Sequence, residues 1–497
     1  MNNWNKIFFK KHRFDALTYD DVTFEPAFSD VLPSQVNLET RLSRNISLKI
    51  PLLSSDMDTV TEYLMAIEMA KAGGIGMLWK TTNIEEQEDW VDRVKHAMSA
   101  KIEKPITINE NQRLEDVLSL LNKYANNFST LVVVDNNNRV TGLITDDRTQ
   151  FADSMESKIK DFMLEDPITH VGDLDTNSAY EFMKKRRVPK LLIVNEKKEL
   201  VSMYTWKDVR EIIENINPTY NRDKKGRLRV GANIGVNDIE RAERLLLRGC
   251  DALLVGTAHG FSDNVISTVK MIKEEFANQY EFDIIAGNVA GYEGAKALCE
   301  AGADAIKVGV GPGSICTTRI VAGTGVPQLT ALYNSYRAAK EFDIPVIADG
   351  GIKYSGHIVK AFIAGAESIM IGSLFAGTDE SPGEMITIKG ERFIEYRGMG
   401  SLGVMDISQG AKERYAQHKN DKSVPEGIEG AVPYTGRVVE QIANLIGGLR
   451  SGMGYAGAHS LKELQDKANL FRVSSEGLRE SHPHDVIITK EAPNYKR

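Results

Sequence analysis

Cysteine is scarce in this sequence. Its 497 residues include only three, Cys250, Cys299 and Cys316, and no two of them form a C-x-x-C pair. Three thiols cannot build a disulfide framework in a chain of this length, and their spacing matches no zinc motif. We therefore expect a reducing compartment and a cytoplasmic location.

Long apolar runs and an excess of positive charge are also missing. No stretch of about 18 apolar residues occurs, and the polar start leads into no apolar core, so we expect neither a membrane segment nor a secretion signal. Lysine and arginine number 61 against 69 acidic residues, and this formal net charge of -8 argues against nucleic acid as a partner. A small molecule bearing phosphate stays open, because backbone amides bind phosphate without a basic field.

Short apolar segments rich in β-branched residues recur along the chain and predict buried strands. They are Pro51–Ser54, Gly74–Leu78, Leu228–Ile234, Ala252–Val255, Asp283–Gly287, Ala305–Val310, Pro345–Ala348 and Ser368–Ile371. Segments with helical periodicity lie between the later ones, at Gly291–Ala301, Gln328–Glu341 and Ser355–Ala364. This alternation predicts an α/β fold, a closed (β/α)8 barrel. An open doubly wound sheet is the alternative, although its G-x-G-x-x-G fingerprint is missing after the first strand.

A repeated unit interrupts the strand rhythm between about 95 and 225. Pro105-Ile-Thr recurs as Pro167-Ile-Thr, and Leu131-Val-Val-Val-Asp recurs as Leu191-Leu-Ile-Val-Asn. We therefore divide the chain into a first barrel part (1–94), an inserted duplicated domain (95–225) and a second barrel part (226–497). The polar segment 384–436 has little strand pattern, and we interpret it as a mobile flap over the site.

A glycine-rich loop follows the sixth predicted strand and contains the third cysteine. Its sequence is Gly309-Val-Gly-Pro-Gly-Ser-Ile-Cys-Thr-Thr-Arg319. Its glycines allow backbone conformations closed to other residues and let a ligand approach closely. Because barrel enzymes place catalytic groups at the carboxyl ends of their strands, Cys316 is a candidate nucleophile. A small buried residue is the alternative, and it is the interpretation we adopt for Cys250 and Cys299.

Two more glycine turns follow the seventh and eighth predicted strands, where barrels commonly bind phosphate. They are Asp349-Gly-Gly351 and Gly372-Ser373. The Asp349 carboxylate would suit two neighbouring ribose hydroxyls, although an aspartate at a strand end is often only a helix cap.

The loop at 308–319 resembles the catalytic loop of the inosine-5′-monophosphate (IMP) dehydrogenases, and motifs in the order of the IMP dehydrogenase and GMP reductase family extend the resemblance over almost the whole chain. They are Leu17-Thr-Tyr-Asp-Asp-Val22, Met57-Asp-Thr-Val60, Gly287-Asn-Val289, Asp349-Gly-Gly-Ile352, Tyr396-Arg-Gly-Met-Gly-Ser401, Arg414-Tyr415 and Val424-Pro-Glu-Gly-Ile-Glu-Gly430. The repeat resembles a tandem pair of CBS modules. The resemblance implies a TIM barrel with an inserted CBS pair that oxidises IMP to xanthosine monophosphate with NAD, in guanine nucleotide biosynthesis.

The resemblance also implies the catalytic roles. Cys316 attacks C2 of the purine, a hydride leaves to NAD, and water then hydrolyses the covalent thioimidate. Thr318 shares in activating the water, and Arg414 is the general base, assisted by Tyr415. Arginine is an unusual base because its free pKa is above about 12, so a phosphate or carboxylate clamp is the alternative role for Arg414.

The binding contacts follow by the same resemblance. The phosphate is held by Ser314, Gly351, Gly372, Ser373 and Tyr396, and the ribose by Asp349. The base faces Met399, Gly400 and Glu426, with Ser55 and Met57 nearby. The contacts with NAD are Thr257, Ala258, His259, Asn288, Gly309 and Gly311.

A monovalent cation, usually potassium, and a homotetramer are implied as well. Carbonyls of Gly311, Gly313 and Cys316 hold the cation, and Glu480, Ser481 and His482 of a neighbouring subunit complete its site. The CBS pair often binds adenine nucleotides, and the expected ligands here are adenine or guanine nucleotides. Its second copy keeps the Thr205-Trp-Lys-Asp208 ending, whereas the first has Thr145-Asp-Asp-Arg148, with arginine where aspartate is expected. A structural or dimerising insert is the alternative.

Three residues depart from the family pattern. Gly256 stands where the family has an aspartate that contacts the nicotinamide ribose, Asp56 replaces a small apolar residue, and Trp79 replaces a histidine. Two rival functions therefore stay open. One is a GMP reductase that uses NADPH, and Arg414-Tyr415 with the Glu426 loop argues against it. The other is a nucleotide-sensing regulator without turnover.

Overall fold

A computed structural model describes residues 1–103, 105–123, 130–150, 152, 154–407, 414–415 and 424–495. The chain divides into two compact units. The first comprises Met1–Lys95, Thr219–Asp223 and Leu228–Arg497, and the second comprises His96–Pro218 and Lys224–Arg227. Within the described ranges, no helix is both long enough and apolar enough to cross a membrane.

The first unit contains a closed barrel of eight parallel strands, which confirms the predicted (β/α)8 fold and excludes the open sheet. The barrel strands are β1 (Leu52–Ser54), β2 (Ile75–Leu78), β3 (Val230–Asn233), β4 (Ala252–Gly256), β5 (Asp283–Val289), β6 (Ala305–Val308), β7 (Val346–Asp349) and β8 (Ser368–Ile371). Strand β8 pairs with β1 and closes the barrel.

A helix follows each barrel strand along the chain. These helices are α1 (Tyr63–Lys71), α2 (Ile84–His96), α3 (Ile239–Leu247), α4 (Asp263–Phe276), α5 (Tyr292–Glu300), α6 (Gln328–Ala339), α7 (Ser355–Ile363) and α8 (Val438–Tyr455). Further helices lie at Asn3–Lys11, Thr318–Val321, Ser373–Ala376, Leu402–Ile407, Leu461–Lys467 and Ser475–Glu480, and Val22–Phe24 pairs with Leu470–Arg472.

The barrel interior is filled by apolar side chains from successive strands. One fully packed cluster joins Leu53, Ile75, Leu254, Ile285 and Ile347, all of them fully buried. The hairpin of Thr40–Arg41 and Ser47–Leu48 covers the amino ends of the strands, where the Asp283 carboxylate accepts hydrogen bonds from Ser43 and Asn45. Packing therefore closes one end of the barrel and leaves the carboxyl end for a site.

The segment 384–436 contains more strand than its sequence indicates. Three strands, Met385–Ile388, Glu391–Arg397 and Glu429–Pro433, form an antiparallel sheet although the sequence there has little strand pattern, and the flap stays a prediction. Residues 408–413 and 416–423 of the proposed flap lie outside the described residues.

The second unit consists of two four-stranded sheets with the same core arrangement. One joins Thr107–Asn109, Thr130–Val134, Val140–Thr145 and Leu164–Glu165, and the other joins Thr169–Val171, Lys190–Val194, Leu200–Thr205 and Lys101–Ile102. Helices lie at Leu114–Lys123, Asp146–Thr149, Thr176–Arg186 and Trp206–Ile213. Each sheet pairs its first two strands in parallel and shifts register at the same point, after Val133 and after Ile193. The sequence repeat is therefore a structural repeat.

Candidate active site

The carboxyl ends of the barrel strands surround a cleft with about 930 Å³ of empty space. Most of the predicted site residues line it: Ser55, Met57, Thr257, Ala258, Asn288, Gly309, Gly311, Gly313, Ser314, Cys316, Thr318, Asp349, Gly351, Gly372, Ser373, Tyr396, Met399, Arg414, Tyr415 and Glu426. Residues far apart in sequence therefore converge here because the barrel brings its strand ends together.

The backbone conformation of the loop after β6 requires glycine at two positions. Gly309 has φ +152°, and a Cβ there would lie 2.0 Å from the carbonyl oxygen of Asp349. Gly311 has φ +81°, and a Cβ there would lie 2.5 Å from Cγ of Arg319. No side chain larger than hydrogen fits either position, so the backbone itself forms this wall of the cleft.

The Cys316 thiol lies at the start of a short helix and is partly exposed to the cleft. Its Sγ donates a hydrogen bond to Thr318 Oγ1 at 3.2 Å, and its backbone N–H donates to the Gly313 carbonyl at 3.1 Å. Cys250 and Cys299 are buried, and burial raises the pKa of each thiol to about 12. Cys316 is the cysteine that a substrate in the cleft can reach.

The segment around Glu426 is hydrogen-bonded to the loop that carries Cys316. The N–H of Thr317 donates to the Glu426 carbonyl at 2.8 Å, and the N–H of Glu426 donates to the Gly400 carbonyl at 3.0 Å. Gly400 is not among the residues that line the cleft, although its neighbour Met399 is. A Cβ at Gly400 would lie 2.6 Å from the Tyr415 ring, so this glycine makes room for Tyr415.

Four charged side chains, which we call the buried charge group, are linked by hydrogen bonds beside the cleft: Arg414, Asp56, Lys307 and Asp349. Arg414 Nη1 donates to Asp56 Oδ2 at 2.6 Å, and Lys307 Nζ lies 3.3 Å from Asp56 Oδ1 and 2.8 Å from Asp349 Oδ2. Asn288 Nδ2 also donates to Asp349 Oδ2, at 2.8 Å. Asp349 is therefore held from two sides with its carboxylate at the cleft.

The opposite charges within the buried charge group stabilise one another. Burial would raise the pKa of the Asp56 carboxyl, but the Arg414 and Lys307 cations outweigh it and hold that pKa at about 2. Burial would likewise lower the pKa of the Arg414 guanidinium, but the Asp56 carboxylate raises it above its usual value. Burial raises the pKa of Tyr415 to about 12. Arg414 therefore carries its positive charge in this geometry.

The glycine turns after β7 and β8, where a phosphate site was predicted, both line the cleft. Gly351 has φ +80° and faces Tyr19, and Gly372 precedes the helical turn Ser373–Ala376. A Cβ at Gly372 would lie 2.9 Å from the Tyr396 hydroxyl oxygen. That hydroxyl is buried, and burial raises its pKa, so it remains a neutral hydrogen-bond group.

A second cavity adjoins the cleft and has about 1740 Å³ of empty space. His259 lines it without reaching the first cleft, whereas Thr257, Arg414 and Tyr415 line both. Thr257 Oγ1 and Asn288 Oδ1 are buried and have no hydrogen-bond partner among the described residues. Unpaired buried acceptors are costly, so these two atoms fit a polar ligand such as a dinucleotide.

The stretch Glu480–His482 contacts the segment that follows β7 and the last described residues of the chain. Its His482 Nδ1 is 2.9 Å from the Tyr495 hydroxyl oxygen, and its ring contacts Tyr354. The described residues contain no cluster of three or more His, Cys, Asp or Glu side chains that could hold a metal ion. A cation at the cysteine loop would therefore rely on carbonyl oxygens, which are neutral ligands suited to potassium.

Two buried residues of the site were missed by the sequence analysis. Lys307 is fully buried in the apolar strand β6, and Asn233 Nδ2 donates to Asp56 Oδ2 at 2.5 Å. A lysine inside a buried strand was itself a signal, because lysine is almost never fully buried without a charged partner. The departure Trp79 packs with Met57, Met399 and Tyr415 beside the cleft.

These features define a class: a (β/α)8 barrel with a glycine-lined cleft at the carboxyl ends of its strands and an accessible cysteine in that cleft. The family model for the IMP dehydrogenase / GMP reductase domain matches residues 16–484, and the chain belongs to this family.

Relatives of known name resemble the chain over nearly its full length. Inosine-5′-monophosphate dehydrogenase from Aquifex aeolicus is 47% identical over 97% of this chain and 98% of its own. The enzyme of the same name from Bacillus subtilis is 44% identical over 99% of both chains. Among solved structures, a Cys-to-Ala variant of GMP reductase from Trypanosoma brucei, in complex with guanosine 5′-monophosphate, has a TM-score of 0.87 and 40% identity over 95% of this chain and 98% of its own.

Proposed function

We propose that the protein oxidises IMP to xanthosine 5′-monophosphate with NAD as hydride acceptor. The net reaction consumes one water and releases NADH and one proton. The observation that carries the proposal is that Cys316, Thr318, Arg414 and Tyr415 line one cleft with the phosphate-binding turns. The relatives named inosine-5′-monophosphate dehydrogenase, at 44–47% identity over nearly the full chain, support it.

In the first half of the reaction, the Cys316 sulfur forms a bond to C2 of the purine ring. The phosphate is held by Ser314, Gly351, Gly372, Ser373 and Tyr396, and the ribose by Asp349. Lys307 and Asn288 orient the Asp349 carboxylate for that contact. The thiol gives its proton to solvent as this bond forms, and the hydride leaves C2 for the acceptor that bound NAD would supply. A thioimidate between Cys316 and the nucleotide remains.

In the second half, water adds to C2 and the C2–S bond breaks, which releases the product and regenerates the thiol. We assign activation of this water to Arg414, assisted by Tyr415 and Thr318, because all three line the cleft with Cys316. Arg414 is a cation in this geometry, so it orients and polarises the water here and acts as a base only after it has lost its proton. The Thr318 hydroxyl already accepts the hydrogen bond of the thiol at 3.2 Å. The Met399 side chain and Glu426 would face the base, with Ser55 and Met57 beside it.

The unpartnered acceptors Thr257 and Asn288, with Ala258, His259, Gly309 and Gly311, would hold NAD. We further propose a monovalent cation, potassium, at the carbonyls of Gly311, Gly313 and Cys316, completed by the 480–482 stretch of a neighbouring subunit in a homotetramer. The Gly313 carbonyl accepts a single backbone hydrogen bond from Cys316, and a carbonyl oxygen has a second lone pair to offer. We also propose a cytoplasmic location, which the scarcity of cysteine supports.

A second candidate function is reductive deamination of GMP with NADPH. The observation that favours it is the structural likeness to a GMP reductase bound to guanosine 5′-monophosphate. That reaction releases ammonia and needs no water-activating pair, so Arg414 and Tyr415 in the cleft favour the dehydrogenase.

One assay separates these functions. Purified protein is given IMP with NAD, or GMP with NADPH, and the absorbance of the reduced cofactor is followed. The proposal predicts NADH formation in the first mixture and no NADPH consumption in the second. Cys316→Ala should abolish turnover, and the matched control Cys299→Ser should retain it, because Cys299 is buried in helix α5. Activity in neither mixture would favour a regulator without turnover.

We propose that the duplicated unit is a CBS pair that binds adenine or guanine nucleotides and regulates the barrel. Its second copy keeps a formed helix cap, in which Thr205 Oγ1 accepts from the Asp208 N–H at 3.2 Å. In the first copy, Arg148 donates to the carbonyls of Phe162 and Met163 at 3.4 Å, so its guanidinium is used within the copy. We therefore expect one nucleotide at the Thr205 copy. Deletion of 96–218 with a short linker keeps Lys95 and Thr219–Asp223 in the barrel unit, so it should leave catalysis intact and abolish any nucleotide effect. A folded but inactive deletion protein would contradict this.

A further inference from the structure

Asp56 is a buried acid that the chemistry above does not use, although it contacts a residue that the chemistry needs. It lies two residues beyond strand β1 and is fully buried. Its Oδ2 accepts a hydrogen bond from Arg414 Nη1 at 2.6 Å, and the Arg414 side chain is itself only 14% exposed. A charge-assisted hydrogen bond in such surroundings is strong because water competes little for either partner.

The Asp56 carboxylate is fixed independently of Arg414. Lys307 Nζ lies 3.3 Å from Oδ1, and Asn233 Nδ2 donates to Oδ2 at 2.5 Å. Both partners belong to barrel strands, β6 and β3. The carboxylate is therefore a rigid acceptor whose position is set by the barrel and not by the segment that carries Arg414.

The charges of the buried charge group sum to zero only when Arg414 contacts Asp56. Asp56 and Asp349 supply two negative charges, and Lys307 and Arg414 supply two positive ones. Without Arg414, one buried negative charge would lack a partner, which is a costly arrangement. The site therefore attracts a cation to this point, and Arg414 is the cation that this chain provides.

Arg414 occupies the boundary between the two cavities. It lines the nucleotide cleft and also the adjoining cavity that we assign to NAD, and its carbonyl accepts the Ala258 N–H at 3.0 Å. A contact that keeps the guanidinium at this boundary places it near the covalent intermediate. The same contact keeps it in space that the dinucleotide would share.

We propose that Asp56 is a positioning residue that holds Arg414 at the nucleotide cleft, so that it favours the hydrolytic half of the reaction and opposes NAD binding. The proposal rests on the proposed function for its kinetic consequences. The contact itself, in which the Asp56 carboxylate fixes the position of Arg414, does not depend on the reaction that the protein catalyses.

The kinetic test compares Asp56→Ala and Asp56→Asn with the wild type. In Asp56→Ala, the rapid first burst of NADH should survive, while steady-state turnover should fall by about 10- to 100-fold, the range expected for a lost hydrogen bond between charged groups. The KM for NAD should fall as well, and the affinity for IMP should stay unchanged. Asp56→Asn keeps the size of the side chain and one acceptor oxygen, so its turnover and its KM for NAD should lie between those of the wild type and those of Asp56→Ala. This variant also allows the test if Asp56→Ala fails to fold. The matched control is Asp304→Asn, because Asp304 pairs with Lys273 at 2.5 Å at the other end of the barrel.

A binding test separates a positioning role from a structural one. Equilibrium affinity for NAD is measured on the Cys316→Ala protein, which cannot react, alone and with Asp56→Ala, Arg414→Ala or both. Asp56→Ala should tighten NAD binding, and it should have no effect once Arg414 is already alanine. An equal effect of Asp56→Ala in both backgrounds would overturn the proposal, as would wild-type kinetics in Asp56→Ala. If the wild type forms no NADH from IMP, the proposed function fails, and the binding test still decides the role of Asp56.

Discussion

Lys307 allows the buried charge group to be tested by a stability measurement. Its side chain is 0% exposed and joins two carboxylates, Asp349 at 2.8 Å and Asp56 at 3.3 Å. Lys307→Met keeps most of the volume and removes the charge. Loss of one partner from a buried pair costs about 3–5 kcal/mol, and we expect the lower end because Asp56 keeps Arg414 and Asp349 keeps Asn288. Asp349 should also lose orientation, so affinity for IMP should fall.

The assay is thermal unfolding of the barrel together with equilibrium binding of IMP. The matched control is Lys296→Met, because Lys296 is 39% exposed and its pair with Glu300 spans 3.9 Å. Exposed pairs contribute about 0–1 kcal/mol, so this control should unfold near the wild-type temperature and bind IMP normally. If Lys307→Met unfolds at the same temperature as Lys296→Met, the charge group does not stabilise the barrel and our reasoning is refuted.

Two further predictions concern the site, and a third concerns Glu62, the N-cap residue of helix α1. Arg414→Ala should give a burst of NADH and then stall, and loss of the burst itself, seen in stopped-flow absorbance, would place Arg414 before hydride transfer. Gly256→Asp should lower the KM for NAD several-fold, because it supplies a hydrogen-bond acceptor. A Cβ at Gly256 would lie 2.8 Å from Asn233 Nδ2, which already donates to Asp56, so the decrease in KM should be larger when Gly256→Asp is combined with Asp56→Ala. A higher KM for NAD in both variants would contradict this. Burial, assisted by Glu86, raises the pKa of Glu62 from 4.5 to about 7, so the folded state binds more protons between these values and stability falls as pH rises through them. Glu62→Gln should flatten that decline in thermal unfolding at pH 5 and pH 8, and an unchanged slope would show that Glu62 is not its source.

Much of the barrel follows from local sequence pattern. The predicted strand Ser368–Ile371 agrees with the structure at both ends, and the predicted helix Ser355–Ala364 extends one residue beyond the observed Ser355–Ile363. Buried parallel strands are continuous apolar runs, and such runs are visible without knowledge of the fold. The exposed strand Met385–Ile388 was missed because no buried face imposes an alternating pattern on it.

The site was predictable where a loop carries its own signal and not where side chains meet across the barrel. Cys316 could be found because three glycines mark its loop. The contact of Asp56 with Arg414 joins residues 358 positions apart, and no local spacing encodes such a contact. Gly400 lies against the Tyr415 ring, a contact that no local spacing indicates, and its predicted contact with the base stays a prediction.

The most direct test of the central claim is mass spectrometry of the cysteine peptides after reaction. Arg414→Ala protein is mixed with IMP and NAD, quenched within the burst and digested. We expect a nucleotide adduct on the Cys316 peptide only, formed only when both IMP and NAD are present, and absent from Cys250 and Cys299. No adduct on Cys316 while NADH is released, or an adduct on either buried cysteine, would contradict it.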